Sequence, residues 1–292
     1  MKRIHQILIS AVFISSVALT ACTSEGFAFM GQLATAVGDD TTAGAFNSLS
    51  KATEEITPEN EYYIGRSVAA NLLTNYKLYE NKKLENYLNK ICQVLVLNSD
   101  DPALYNGYHV KIIDSTEVNA FSTSGGHIFV TRGLIACTDS EDSLAAVIAH
   151  EIGHIQLKHS VKSIKTNRWT DAFKSTANAT LSALDMAEMA NTLDDMVGDA
   201  LSDMVNNGYS QGQEYDADKK AVELMAAAGY DPNAIVDMLQ KMADQQKGKK
   251  TGVYKTHPSP ESRISKLKST LKKTEVEDTT EYRVNRYLEM MR

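Results

Sequence analysis

The chain has few cysteines and no excess of positive charge. Only three cysteines occur among its 292 residues, and none has the spacing of a cysteine-based zinc site. In an oxidising compartment Cys92 and Cys137 could form one disulfide, and a buried pair of free thiols is the equal alternative. The formal net charge is −7, without a cluster of basic residues. We therefore expect no nucleic acid among the partners.

Long apolar runs are also missing, apart from one near the amino terminus. Met1-Lys2-Arg3 is a basic start, and the 15 residues from Ile7 to Ala21 that follow are mostly apolar. This run is too short for a comfortable membrane span but suits a secretory signal. It ends in Leu19-Thr20-Ala21-Cys22, which resembles the lipobox of bacterial lipoproteins, although an ordinary signal peptide with an incidental cysteine is the alternative.

The lipobox resemblance implies a signal peptide over residues 1–21 and lipidation of Cys22. Because Thr23 and not aspartate follows Cys22, it also implies the periplasmic face of a bacterial outer membrane. Residues 22–56 are rich in Ser, Thr, Gly and Ala, which predicts a flexible tether. We expect the folded domain over residues 57–273 and a charged tail of unassigned use over residues 274–292.

The pattern with the most chemical content is His150-Glu151-Ile152-Gly153-His154, an H-E-x-x-H sequence. On a helix, residues four apart differ in direction by about 40°, so both imidazoles can bind one zinc ion. Glu151 is then placed to hold and deprotonate a metal-bound water. A helix is expected because Thr138 and Glu141 fit a capping box and apolar residues recur at helical spacing over 144–155.

A catalytic zinc site needs three protein ligands and one open position. His159 is the nearest further histidine, but on a continuous helix it would point about 180° away from His150. The longer H-x-x-x-H-x-x-G-x-x-H pattern fails as well, because Leu157 replaces its glycine and Ser160 its third histidine. We therefore interpret His159 as structural.

A better third ligand lies downstream, in Glu214-Tyr215-Asp216-Ala217-Asp218. Glu214 and Asp218 lie one turn apart on an expected helix that stops near Gly229. Glu214 could complete the zinc shell. Asp218 could accept a hydrogen bond from the free ring nitrogen of a ligating histidine. An acidic pair on a helix is usually a solvated surface, so this interpretation depends on the H-E-x-x-H segment.

Together these segments resemble the HtpX- and BepA-like (Ste24-type) gluzincin zinc metallopeptidases, in which H-E-x-x-H is followed by E-x-x-A-D. Further similarity lies in Asn119-Ala120-Phe121, in residues 125–134, and in His257-Pro258-Ser259 with Arg263 beyond it. The resemblance covers about residues 60–270. The lipobox points to the outer-membrane lipoprotein branch, and no tetratricopeptide array follows the catalytic unit.

The resemblance implies one Zn²⁺ per chain. It implies His150, His154 and Glu214 as ligands, Glu151 as general base, and Asp218 as a support for a ligand.

His257 has two interpretations. Prolines keep its loop extended, and a loop histidine is usually structural or solvated. Given the resemblance, it could equally lie at the active site, occupy the fourth zinc position and hold the enzyme inactive until the loop moves. Arg263 could neutralise the oxyanion of the tetrahedral intermediate or orient Asp218.

The expected fold is α+β and predominantly helical, a gluzincin metallopeptidase core with a small sheet packed beside the H-E-x-x-H helix. We predict one helix over residues 60–98, and strands over Tyr108–Asp114 and His127–Thr131. An exposed strand beside the metal helix would let a peptide substrate add itself through main-chain hydrogen bonds. Residues 160–212, rich in Ala, Asp and Met, predict either a packed amphipathic helix or a mobile lid.

The function expected from these features is a zinc endopeptidase, anchored by lipid in the periplasm, that hydrolyses misfolded or stalled envelope proteins. The competing hypothesis is an outer-membrane protein assembly factor or chaperone whose zinc is largely non-catalytic, with the assembly machinery as its partner. Glu151 favours the enzyme, because a structural zinc site needs no general base. The sequence leaves open the natural substrate, the cleavage preference and the oligomeric state.

Overall fold

The computed structural model describes residues 23–36, 38, 40–167, 198, 208–245, 257, 259–271 and 280–292. The expected signal peptide, Cys22 and most of residues 160–212 lie outside this part of the chain. The chain divides into two units, residues 1–56 with 162–192 and residues 57–161 with 193–292. The second unit contains every expected site residue except Cys22.

In the first unit, α1 (Ser24–Ala36) and α2 (Asp40–Thr53) pack against each other. The Ser50 hydroxyl donates to the Ser24 carbonyl at 2.7 Å, and a Cβ on Gly31 would lie 2.4 Å from Asn47 Oδ1. Residues 22–56 therefore contain two helices where their composition predicted a flexible chain. Small residues let the two helices approach closely. A tethering role for the segment stays a prediction.

The second unit begins with α3 (Pro58–Asn75) and α4 (Lys82–Leu97), where the sequence predicted one helix over residues 60–98. The chain between them pairs with the sheet: Leu78 forms a bridge with Ile113, and Asn81 then caps α4. The prediction of a continuous helix was wrong because apolar spacing does not reveal this excursion to the sheet edge.

The sheet has three strands, β1 (His109–Ile113), β2 (Ala120–Thr123) and β3 (His127–Thr131), in the order β1-β3-β2. Strand β1 is parallel to β3 and β2 is antiparallel to it. The sequence predicted β1 and β3 and missed β2. Gly125 and Gly126 form the β2–β3 turn at φ values of +85° and +89°, where a side chain would be strained. The sheet is followed by a single helical turn, α5 (Arg132–Ile135).

At the centre of the second unit lies α6 (Glu141–Gln156), buried from Glu141 to Ile155. Its N-cap is Ser140, whose side chain accepts from Ser143 N at 3.1 Å, so the expected capping box at Thr138 was wrong by two residues. The Thr138 hydroxyl instead donates to the Ile135 carbonyl. Around α6 pack β2 and the helices α4, α7 (Gln211–Ala227) and α8 (Ala234–Gln245).

Two further helices, α9 (Pro260–Leu271) and α10 (Thr280–Met290), complete the described chain. Helix α10 lies in the charged tail and contacts α6. Its Arg283 and Arg286 side chains bind Asp142 and Glu141 in the first turn of α6. We call these four residues the charge cluster. Among the described residues, no helix is both long enough and apolar enough to cross a bilayer. The observed architecture, helical with a small mixed sheet beside α6, confirms the predicted fold class.

Candidate metal centre

The two helices that carry the H-E-x-x-H and E-x-x-A-D motifs touch at Gly153. A Cβ at this position would lie 2.9 Å from the Ala217 carbonyl oxygen, so only glycine allows the observed approach of α6 to α7. One result is that His150 Nε2 lies 3.5 Å and His154 Nε2 3.4 Å from the carboxylate oxygens of Glu214. Residues about sixty positions apart in sequence therefore meet face to face.

Four side chains converge there: His150, His154, Glu214 and His257 each offer a ligand atom, and these atoms all lie within 4.8 Å of one another. We call this group the metal centre. The Nε2 atoms of His150 and His154 are 3.0 Å apart. Two ligands about 2.0–2.1 Å from a tetrahedral zinc are about 3.4 Å apart, so the observed spacings suit such an ion.

The hydrogen bonding of Glu214 also suits a cation. Its side chain is fully buried, and within the part of the chain that the structure describes its Oε1 atom has no hydrogen-bond partner. Although burial opposes ionisation, the nearby His257 and His154 hold the pKa of Glu214 well below its usual range. A buried carboxylate oxygen without a donor is costly, and a bound cation would satisfy it.

His150 is held from behind by a carboxylate. Its Nδ1 lies 2.9 Å from Asp218 Oδ1, and Asp218 in turn accepts from Arg263 Nε at 2.8 Å and Nη2 at 2.5 Å. Burial and the positive charge of Arg263 disfavour protonation of His150. Asp218 and Glu214 outweigh them and raise the pKa of His150 to about 9. Asp218 is kept ionised against its burial by Arg263, which holds its pKa far below its ordinary value.

This geometry bears on the two roles considered for Arg263. The guanidinium forms two hydrogen bonds with Asp218 and lies 3.8 Å from Glu214 Oε2. Its Nη2 is also 3.2 Å from His150 Nδ1. That last contact is no hydrogen bond when Nε2 binds a metal, because Nδ1 then carries a proton and donates to Asp218. The hydrogen bonds of Arg263 thus go to Asp218, and its two roles stay predictions.

His257 lies at the metal centre, although its loop position also allowed a solvated side chain. Its Nδ1 is 2.6 Å from Glu214 Oε2, and its ring centroid is 5.6 Å from that of His150. Its side chain is only 8% exposed. The structure therefore brings together all the expected site residues that it describes.

Glu151, the expected general base, is buried and lines a cavity of about 40 Å³ beside His150. The lining of this cavity also includes apolar side chains, among them Leu134, Val147, Leu239 and Met242. Ala120 of β2 also lines the cavity, so an edge strand of the sheet runs past the metal centre.

Sequence reasoning misplaced His159. Helix α6 ends at Gln156 and Lys158 adopts φ +54°, so the continuous helix assumed in the sequence argument does not exist. After this break His159 is buried, with its Nδ1 2.9 Å from His154 Nδ1. The ring of Tyr209 stacks on His154 with centroids 4.2 Å apart. The His159 contact could not be read from spacing, because it depends on where the chain turns.

The other cysteines play no part at this centre. Cys92 and Cys137 are both buried and free, so of the two alternatives the structure has the pair of thiols. Burial raises the pKa of Cys92 to about 12 and also raises the pKa of Cys137.

Known proteins resemble this chain over the same region. The protein is 28% identical to a beta-barrel assembly-enhancing protease of Yersinia pestis over 269 residues, which are 87% of this chain and 51% of the relative. It is 29% identical to metalloprotease LoiP of Escherichia coli over 162 residues, 54% of this chain and 60% of the relative. It is 31% identical to mitochondrial metalloendopeptidase OMA1 of Schizosaccharomyces pombe over 179 residues, 59% of this chain and 49% of the relative.

The chain thus spans about half the length of the curated relatives it matches. The model of peptidase family M48 matches residues 82–271, which include every residue of the metal centre. This match confirms the resemblance seen in the motifs. Because it covers more than half of the chain, the protein belongs to peptidase family M48, whose members are metal-dependent.

Proposed function

We propose that the protein is a zinc-dependent endopeptidase of the gluzincin type, with His150, His154 and Glu214 as the zinc ligands. The observation that carries this proposal is the convergence of these side chains around Glu214 Oε1, which has no hydrogen-bond partner among the described residues, with Glu151 beside His150. Two imidazoles and one carboxylate are the donor set of catalytic zinc sites that keep an open position. A bound zinc ion would polarise the scissile carbonyl and acidify its water.

The residues of the chain then divide the remaining work. Glu151 takes the proton from the water and passes it to the leaving amine, because it lines the cavity at the metal centre and follows a ligand directly. Asp218, fixed by Arg263, holds the His150 ring with its Nε2 toward the metal. The sequence predicted an exposed strand that would bind an extended substrate, but all four residues of the edge strand β2 are buried, so no substrate-binding role is proposed for it.

His257 caps the site at rest in this proposal. It would occupy the fourth position on the metal and leave when its loop moves, because its Nδ1 already lies among the ligand atoms. Its replacement by alanine should then raise peptidase activity, or at least change the metal coordination. If His257→Ala changed neither, the capping role would be wrong.

We further propose an envelope setting. The lipobox-like Leu19-Thr20-Ala21-Cys22 would place a lipid anchor at Cys22 on the periplasmic face of the outer membrane, with misfolded or stalled envelope proteins as substrates. The name of the beta-barrel assembly-enhancing relatives favours one alternative, an assembly factor or chaperone with a largely non-catalytic metal. The two roles differ in whether Glu151 is needed.

The deciding experiment compares the wild type with Glu151→Gln on an unfolded, fluorescently labelled test protein. Glu151→Gln should keep one zinc ion per chain, measured by mass spectrometry of the metal, and lose about 10²–10⁴-fold in cleavage rate, as expected for a lost general base. Glu223→Gln is the matched control, because the Glu223 side chain is 50% exposed on α7, away from the metal centre.

Equal cleavage by the wild type and Glu151→Gln would overturn the proposed mechanism. Bound zinc without cleavage, in both the wild type and His257→Ala, would favour the assembly factor.

A further inference from the structure

The two histidines of the metal centre on α6 are supported by different chemistry. His150 has a carboxylate, Asp218, behind its Nδ1. His154 has another imidazole in the equivalent place: His159 Nδ1 lies 2.9 Å from His154 Nδ1, and the two rings meet edge to face at 73° with centroids 5.0 Å apart. His159 is 1% exposed, so no solvent replaces this contact.

The chain turn after α6 creates the contact. Leu157 N and Lys158 N close the helix by donating to the carbonyls of Gly153 and Ile155, and Lys158 then takes a positive φ. Residues 159–167 are helical again, so His159 lies at the start of a new helix, with its ring against the ring of His154.

The direction of the hydrogen bond follows from the side of His154 that faces the metal centre. His154 Nε2 lies 3.0 Å from His150 Nε2 and 3.4 Å from Glu214 Oε1, so Nε2 is the ligand atom. A neutral imidazole that ligates through Nε2 carries its proton on Nδ1. His154 Nδ1–H therefore donates, and the Nδ1 of His159 accepts with its own proton on Nε2.

We propose that His159 is a positioning residue for the metal ligand His154. It fixes the tautomer and the ring orientation of His154 through a neutral acceptor, as Asp218 does for His150 through a charged one. The inference rests on the proposed metal site, but not on catalysis by Glu151. It also gives His159 a role other than direct ligation of the metal.

A second contact ties the same residue to the other helix of the centre. The carbonyl of His159 accepts from Gln213 Nε2 at 3.4 Å, and Gln213 belongs to the capping box that starts α7. Glu214 is the next residue along α7. His159 thus bonds to one ligand by its side chain and to the neighbour of another ligand by its main chain. Substitution of the side chain removes only the first of these bonds.

The test compares two substitutions at this position in the full chain. In His159→Asn, the amide oxygen can occupy the place of Nδ1 and accept the same hydrogen bond. In His159→Phe, the ring fills the space but accepts nothing. Zinc affinity is measured by chelator competition and the ligand geometry by the visible spectrum of the cobalt-substituted protein. Circular dichroism and thermal unfolding establish that each variant is folded.

We expect His159→Phe to bind zinc about 10–100-fold more weakly with an altered cobalt spectrum, the usual cost of losing a partner behind a metal-ligating histidine. His159→Asn should recover most of the affinity. His109→Phe is the control, because His109 is exposed on β1 and should keep the wild-type affinity.

Three outcomes would overturn the inference. The first is a folded His159→Phe variant with wild-type zinc affinity and cobalt spectrum. The second is an equal loss of zinc affinity in the Phe and Asn variants. If the Phe variant does not fold, the third is wild-type zinc affinity in a folded His159→Leu variant. A wild-type protein that binds no zinc would instead overturn the proposed function itself. Zinc binding without cleavage would leave the role of His159 standing.

Discussion

The two ends of α6 both carry buried, charged clusters, but the two clusters differ in their role. At its first turn, the carboxylates of Glu141 and Asp142 are buried against arginines of α10. At its last turns, His150 and His154 are buried against Glu214 and Asp218 of α7. Burial and charge alone therefore do not distinguish the two clusters.

What distinguishes them is whether every carboxylate oxygen has a donor. Glu141 accepts from Tyr87 at 2.7 Å, from Tyr230 at 3.1 Å and from Arg286. The two oxygens of Asp142 accept from Asp231 N at 2.7 Å and from Arg283 Nε at 2.8 Å.

At the metal centre, by contrast, Glu214 Oε1 has no donor among the described residues, and imidazoles crowd around it. The satisfied cluster stabilises the fold. The unsatisfied one is suited to a ligand.

The largest effect should follow from removing the unsatisfied carboxylate. We expect Glu214→Gln to weaken zinc binding by more than about 100-fold, the upper end for losing a residue that merely supports a ligand. The metal-free protein should lose less stability than a charge-cluster variant, because His150, whose pKa Glu214 helps to raise, can release its proton. Chelator competition and urea unfolding measure the two quantities. Zinc binding at wild-type strength would remove Glu214 from the ligand set.

The opposite pattern is expected at the first turn of α6. Asp142→Ala leaves Arg283 buried and charged, because arginine cannot release its proton in a protein. The free energy of unfolding should fall by about 3–5 kcal/mol, while the folded protein keeps its zinc affinity to within a few-fold. Urea unfolding of the metal-free chain measures the loss. A cost below about 1 kcal/mol would mean that the charge cluster contributes little to the stability of the fold.

A smaller effect is expected where α6 touches α7. In Gly153→Ala the new methyl would press on the Ala217 carbonyl, which should cost about 1–3 kcal/mol against a gain of up to about 1 kcal/mol in helix propensity. Zinc affinity should fall with it, because the ligands of the two helices move apart. Gly44→Ala is the control, since Gly44 has open space around it in α2 and should be neutral or stabilised. Equal results for the two variants would show that close helix contact does not set the ligand geometry.

The smallest effect concerns the buried thiols of Cys92 and Cys137. Because burial raises the pKa of Cys92 to about 12, its reactive thiolate is scarce at pH 8 and increases only as the pH rises toward 12. In a Cys22→Ser background, a thiol reagent should therefore label neither Cys92 nor Cys137 at pH 8 until guanidinium unfolds the chain. Rapid labelling of the native protein would indicate an accessible thiol and weaken the structural assignment of this region.

Local sequence patterns predicted much of the fold and of the metal centre. The H-E-x-x-H spacing, the pair Glu214 and Asp218 and the stop at Gly229 are all properties of single helices, and single helices follow from periodicity and capping. Strand β2 was missed because its four residues are all buried and show no alternation. The break at residues 76–81 was missed because pairing with β1 is a non-local event.

The sequence by itself determined the chemistry available to this protein. It supplies two histidines and a glutamate on one helical turn, a second helix with two carboxylates one turn apart, and a histidine in a proline-bounded loop. It also determined the family. Only the tertiary structure decided that Glu214 keeps an oxygen without a donor among the described residues, that Arg263 binds Asp218, and that His159 contacts His154. The physical reason is that spacing along one helix fixes which side chains share a face. Contacts between helices depend on where glycines allow close approach and where the chain reverses.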